Sequence, residues 1–213
     1  MSKKVKVNLI GALDMLKFKN LAKDRDDKIE AAEASDVHVE DPLKDAAHAM
    51  HPVSQEMVID RVTEHPGCSA KTFELRRKDG KPAAMFRAGQ YISVSYNIDG
   101  EHVTRPYSIA SSPLQAKNGK YSITIKSFPG GFTSVYAMRY LKEGMTVNVS
   151  APEGYFYHEP LRDGSNVVAL VGGSSITPVL SMALAIRDGV EDFNLTVIYG
   201  SRTAREILLY DEL

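Results

Sequence analysis

Arg105-Pro106-Tyr107-Ser108 closes one run of strand-forming sequence, and Gly130-Gly131-Phe132-Thr133-Ser134 follows beyond the next. Around these two tracts the chain alternates. Tyr91-Ile92-Ser93-Val94-Ser95-Tyr96 leads to the turn dipeptide Asp99-Gly100, Tyr121-Ser122-Ile123-Thr124-Ile125-Lys126 alternates again, and Thr146-Val147-Asn148-Val149 is a shorter case. Upstream, Met57-Val58-Ile59 and Thr72-Phe73-Glu74-Leu75 flank a turn at Pro66-Gly67, and Asp79-Gly80 marks another. Short segments of period two between polar turns, without a long helix, predict an antiparallel barrel or sandwich. Residues 133–141 are the exception: one helix, with Ser134 in its first turn.

At Asn166 the pattern changes. Val167-Val168-Ala169-Leu170-Val171 is a continuous apolar run, as expected of a strand buried on both faces. The loop Gly172-Gly173-Ser174-Ser175-Ile176-Thr177-Pro178 follows, then a helix from Pro178 to Arg187 and a second strand of the same kind, Phe193 to Tyr199. Ala204 to Leu213 is expected to begin another helix. Strand, loop, helix, strand and helix in this order open a parallel nucleotide-binding sheet. Residues 1–52 read differently. Leu9, Ile10, Leu13, Leu16 and Leu21 recur at helical spacing, and Asp41-Pro42 has the chemistry of a helix start for residues 42–50. This arm is expected to be a helical extension packed on its own domain or partly disordered, with a docking segment for a partner or a membrane surface as the alternative.

The 213 residues are 43% hydrophobic and 25% charged, with a net charge of −1, which suits one large or two small domains. The charge balance holds no basic excess, so nucleic acid is not an expected partner. No apolar run approaches the ~18 residues of a membrane span. Lys6, Asn8 and Asp14 interrupt the N-terminal apolar stretch, so no signal peptide is read and a cytoplasmic location is expected. Cys68 is the one cysteine, which excludes an intrachain disulfide and a cysteine-ligated iron–sulfur cluster, a group that needs about four thiolates. In its Pro-Gly-Cys-Ser turn it is expected to be a surface or half-buried thiol. Of the six histidines only His48 and His51 are closely spaced, with no third ligand, so no metal site is expected.

An Arg-x-Tyr-Ser followed at this distance by a Gly-Gly-x-x-Ser resembles the flavin-binding signature of the ferredoxin reductase superfamily. The loop from Gly172 to Pro178 resembles that superfamily's pyridine-nucleotide loop. The resemblance covers roughly residues 55–213. It implies a mixed β and α/β protein: an antiparallel six-stranded flavin-binding β-barrel over residues 53–160, then the first half of a parallel Rossmann-like nucleotide-binding domain over residues 161–213, preceded by the helical extension, residues 1–52. The reaction implied is hydride transfer from NAD(P)H to bound FAD, with FMN as the alternative, and then one-electron delivery to a redox protein acceptor such as an iron–sulfur protein.

A flavin needs charge neutralisation at its phosphate, a flat surface for its ring and a hydrogen bond near N5. By the resemblance, Arg105 supplies the first with a planar fork suited to phosphate oxygens. Tyr107 packs on the ring, Ser108 serves N5, and Pro106 lies between them. In a strand Arg105 and Tyr107 share one face and Ser108 takes the other, so twist must bring Ser108 to the ring edge. Gly130 and Gly131 let backbone approach a pyrophosphate, with Phe132 and Thr133 leading to Ser134 at a helix start that attracts phosphate. The backbone at Lys126 lines the ribityl chain. Gly172, Gly173 and Ser174 place free N–H groups at a helix start for the dinucleotide phosphate, Thr177 and Pro178 come at the flavin edge, and Thr177 guides the nicotinamide. Ser201 and Arg202, after the second strand, are read as contacts to the adenosine ribose or its 2′-phosphate, which leans towards NADPH. Ser108, Tyr107 and Thr177 are the expected catalytic residues.

Two departures from the family pattern stand out. Ser175 occupies a position where the superfamily commonly has glycine, and its side chain is expected to crowd the phosphate or to demand a φ that serine disfavours. A full nucleotide domain has more parallel strands than the two read here, so the chain is expected to be a truncated product, or one whose sheet is completed by a partner chain or oligomer. This leaves a second reading, a flavin-binding electron-transfer module that NAD(P)H alone does not reduce. A third, a substrate-binding relative such as a siderophore-interacting protein, is disfavoured by the intact Arg-x-Tyr-Ser.

Overall fold

The computed structural model describes residues 23–31 and 42–213. The chain divides into two units, residues 1–41 and 42–213. In the first, residues 23–31 form a helix, α1, with its residues exposed. The periodic leucines from Leu9 to Leu21 and the expected cap at Asp41 lie outside the described residues. The second unit opens with α2 (Pro42–Met50), which starts at the proline as its chemistry predicts.

Six strands follow: β1 (Gln55–His65), β2 (Ala70–Arg77), β3 (Tyr91–Ile98), β4 (Glu101–Ser108), β5 (Lys120–Lys126) and β6 (Thr146–Val149). They form one antiparallel sheet in the order β4-β3-β6-β1-β2-β5. Alternation in the sequence becomes alternation in burial. Ile92, Val94, Tyr96 and Ile98 of β3 point inwards with Phe73 and Leu75 of β2 and Ile123 and Ile125 of β5, and together they fill the interior. The buried polar group Gln55 is fully used: its Nε2 donates to Ser150 O at 3.2 Å, and its Oε1 accepts from Ala84 N at 2.8 Å. Tyr121 beside it donates to Ala84 O, and burial pushes its phenol up to about 12.

The sheet closes on itself only at one point. Beyond β4, Ile109 bridges Ile123, and Ala110 N donates to Ser122 O at 2.8 Å. Along β4 itself the ladder partner is β3, on one side. Pro106, which has no N–H for a ladder, sits on this edge strand, where it is tolerated and discourages a further strand from pairing there. The seam beside Arg105, Pro106, Tyr107 and Ser108 is therefore free of a second strand, and α3 (Phe132–Tyr140) packs Tyr136 and Ala137 into the same apolar cluster as Tyr107.

The second part begins with β7 (Asn166–Gly172), runs through a tight turn at Gly173–Ser175 into α4 (Ile176–Arg187), and returns in β8 (Asn194–Gly200), parallel to β7 and in register with it. Val167, Ala169, Val171, Leu195, Val197 and Tyr199 lie on the face that meets α4 or its neighbours. The opposite face differs from expectation. Val168, Leu170 and Ile198 are 61%, 76% and 56% exposed, so these apolar strands are covered on one side among the described residues.

The helix expected from Ala204 to Leu213 is absent. That stretch holds two single 3₁₀ turns, Ala204–Glu206 and Tyr210–Glu212. Packing overrides the local pattern here. Leu208 and Leu209 are drawn into a cluster with Ala70, Ile176 and Leu180, Tyr199 Oη accepts from Leu208 N at 3.1 Å, and Leu209 takes a left-handed φ of 59°, which no helix continues. Cys68 also departs from its expected place. It is 6% exposed in that cluster, with its Sγ 3.8 Å from Arg205 O, because the returning C-terminal segment covers the turn.

Candidate functional site

Arg105 and Tyr107 lie on one face of β4, opposite Val94 and Ile92 of β3. Their settings differ. Tyr107 is half-buried against the interior, whereas Arg105 is exposed and holds no carboxylate among the described residues; its Nη1 donates to Thr104 O at 2.8 Å. A guanidinium left unneutralised beside an aromatic face suits an anionic group attached to a flat ring. Ser108 is half-buried on the other face, opposite Tyr91, and Pro106 is exposed.

The glycine turn lies at the start of α3. Gly131 N donates to Phe128 O at 2.9 Å, and Ser134 Oγ accepts from Phe128 N at 3.3 Å. A methyl on Gly131 would stand 2.4 Å from Ser134 Oγ and 3.0 Å from Phe128 O, so a larger residue would displace the serine. Phe132 is exposed, Thr133 is buried, and Gly130 has open space around it. This is a cradle of small residues at the positive end of a helix, the arrangement that binds a pyrophosphate. Arg105, Tyr107 and this turn together fit the group that the sequence implies.

Lys126 joins the two parts. It ends β5, immediately before the tract that leads to Gly130, and its ammonium comes 3.5 Å from where a Cβ on Gly173 would stand. The end of β5 thus reaches the nucleotide-type loop. Within that loop Gly173 O accepts from Tyr199 Oη at 2.8 Å, and Thr177 Oγ1 donates to Ser174 O at 3.0 Å. Thr177 is 5% exposed and Pro178 is half-buried, so the threonine side chain is engaged in the loop's own structure.

The expected strain at Ser175 is not found. Its φ is −68°, an ordinary value for serine, and its side chain turns back onto the loop: Oγ donates to Gly172 O at 2.9 Å and accepts from Gly172 N at 2.8 Å. The hydroxyl fixes the exit of β7. Ser175→Ala is expected to lower amide protection at Gly172 about fivefold, the equivalent of about one net hydrogen bond, as read by hydrogen exchange.

Ser201 and Arg202 lie after β8. Ser201 Oγ donates to Thr203 O at 2.9 Å. Unlike Arg105, Arg202 is already paired: Nε and Nη2 lie 3.1 and 3.0 Å from Glu206 Oε2. A 2′-phosphate at this position would meet a carboxylate as well as the guanidinium.

The strand alternation carried a signal that its motifs did not. Tyr96 is the one residue with a polar tip among the inward positions of β3, and it lies against Tyr136 of α3 with ring centroids 6.1 Å apart and planes at 76°. The link between the two parts had no local signal. Arg87 pairs with Glu159 at 2.6 Å, donates to His158 O at 2.7 Å and stacks 4.1 Å over Tyr157, which holds the loop between β2 and β3 to the connecting segment.

A six-stranded antiparallel barrel with an open seam at Arg105–Ser108, followed by strand, glycine loop, helix and parallel strand, defines a two-part class of fold, a barrel joined to the beginning of an α/β domain. Residues 61–158 match the oxidoreductase FAD-binding domain family. The chain is 33% identical over 132 residues to one of the subunits of the 1,2-phenylacetyl-CoA epoxidase of Escherichia coli, covering 62% of this chain and 36% of that protein. It is 37% identical over 129 residues to the glycine betaine monooxygenase reductase subunit of Pseudomonas aeruginosa, covering 61% and 34%. The chain thus spans about a third of the length of these relatives. Its fold superposes on a ferredoxin NADP+ reductase from Neisseria gonorrhoeae with bound FAD and NADP at a TM-score of 0.60 and 24% identity, over 76% of this chain and 63% of that one. No helix among the described residues is long and apolar enough to cross a membrane, and no metal-ligating cluster is found among them.

Proposed function

We propose that this chain is the FAD-binding part, with the beginning of the nucleotide-binding part, of an NAD(P)H-dependent flavin oxidoreductase that delivers electrons to a one-electron acceptor such as an iron–sulfur protein. Residues 53–160 are the flavin domain and residues 161–213 the nucleotide segment. The approach of Lys126 to the Gly173 loop carries this reading, because it brings the end of the strand that leads to the flavin turn up to the nucleotide loop. When bound, the flavin supplies hydride acceptance and single-electron release, and the chain supplies binding and orientation. Arg105 neutralises the flavin phosphate, Ser134 and the Gly130–Gly131 backbone hold the pyrophosphate, Tyr107 packs on the ring, and Ser108 offers a hydroxyl near N5. Gly172, Gly173, Ser174 and the start of α4 receive the dinucleotide phosphate, with Thr177 and Pro178 shaping the loop and Ser201 and Arg202 at the ribose end.

Two observations favour a narrower reading, a flavin module that another protein must reduce: Arg202 is neutralised by Glu206, and one face of β7 and β8 is exposed among the described residues. The purified chain is expected to take up FAD and show the visible bands of a protein-bound flavin. Anaerobic NADH or NADPH is then added. Bleaching by either supports the reductase reading, and bleaching by dithionite alone supports the module. A chain that takes up no flavin overturns both.

A further inference from the structure

Tyr96 is 3% exposed, and its hydroxyl is buried with no hydrogen-bond partner at bonding geometry. A phenylalanine would fill the same space between Val94 and Ile98 without desolvating a donor, so an unused hydroxyl here has a cost and no return. The polar group that acts on it is the Tyr107 hydroxyl, which with burial as the larger cause holds the Tyr96 phenol far above its ordinary range. Both side chains lie on the inward face, Tyr96 opposite Val103 and Tyr107 opposite Ile92, and both join the same apolar cluster. The Tyr96 ring also meets Tyr136, two residues past Ser134 on α3. Tyr96 therefore touches both elements that carry the flavin motifs while belonging to neither.

We propose that Tyr96 is a positioning residue for the flavin site, donating its hydroxyl hydrogen to the Tyr107 oxygen so that the Tyr107 hydrogen is left to donate to an oxygen of the bound flavin. The direction follows from the ligand's chemistry. The unneutralised Arg105 on the same face calls for an anion, and phosphate oxygens at neutral pH accept hydrogen bonds. Tyr107 must then donate to the ligand, and its lone pair is what remains for Tyr96. This inference rests on the proposed flavin site.

The test is a double-mutant cycle with Tyr96→Phe and Tyr107→Phe, each titrated with FAD by equilibrium dialysis and melted without flavin. Tyr96→Phe is expected to weaken FAD binding roughly three- to tenfold, the loss of about one net hydrogen bond. Its flavin-free melting temperature is expected to be unchanged or higher, since a buried unpaired hydroxyl is removed. In the Tyr107→Phe background the same change is expected to have no further effect. Unchanged affinity in Tyr96→Phe, effects that multiply in the double variant, or a weakening that comes with a lower melting temperature would each overturn the assignment. A wild-type chain that takes up no FAD fails differently: the flavin reading itself falls, and this inference with it.

Discussion

Replacing Arg105 by alanine is expected to weaken FAD binding about ten- to a hundredfold. Hydrogen bonds to a charged group contribute about 1.5–3 kcal/mol, and about 1.4 kcal/mol corresponds to a tenfold change. The residue suits this test because the apoprotein makes little use of it. Arg105 is exposed, its one hydrogen bond is to the neighbouring Thr104 carbonyl, and it takes part in no ion pair among the described residues. Its removal is therefore expected to leave the flavin-free melting temperature within the small range of ordinary surface substitutions. Arg105→Lys keeps the charge and loses the planar fork, so it is expected to recover only part of the affinity. Equilibrium dialysis with FAD, paired with thermal melts, separates the two effects. Full affinity in Arg105→Ala would place the flavin phosphate on another cation.

The largest effect on stability is expected at Gly89. Its φ is +105°, a region that side chains rarely enter, and a Cβ there would lie 1.9 Å from Phe156 O and 2.8 Å from Met182 Cε. Glycine is required for two reasons at once: the backbone conformation, and the close approach of the connecting segment and α4. Gly89→Ala is expected to destabilise the protein by about 3 kcal/mol, from about 1–3 kcal/mol of backbone strain together with overpacking of similar size. For a chain of this length that lowers the melting temperature by roughly 6–12 °C. A thermal melt checks it, and a shift below about 2 °C would mean that the connecting segment yields freely. The neighbouring Arg87–Glu159 pair predicts that it does not, since the same loop is held to that segment a second time.

Most of the barrel is legible in the sequence because strands such as β3, β5 and β6 bury one face, and half-burial writes a period of two into the residue order. The order in which the strands pair has no such local signature. It places β6 between β3 and β1, far from its neighbours in the chain. The motifs also supplied the residues of the candidate site, since a phosphate-binding turn needs glycines and a helix start in a fixed order. What they could not supply was the company each residue keeps. Arg105 and Arg202 look alike in the sequence, yet Glu206 neutralises the second and no carboxylate among the described residues reaches the first. Ser175 looked strained, and its hydroxyl proved to have two partners on Gly172. The C-terminal stretch has the composition of a helix, but burying Leu208 and Leu209 stabilises it more than helical hydrogen bonds would.

The residue order alone settles the barrel's strands, the change to a parallel β–α–β unit at Asn166, and the three motifs with their order. These are local matters: periodicity, turn chemistry and spacing act between residues close in the chain. Folding in three dimensions was needed to leave the seam open beside Arg105–Ser108, to bring Lys126 to the Gly173 loop, and to set Tyr96 against Tyr136. Those contacts join residues far apart in the chain, and only the closing of the sheet and the packing of α3 and α4 upon it bring them within a few ångströms.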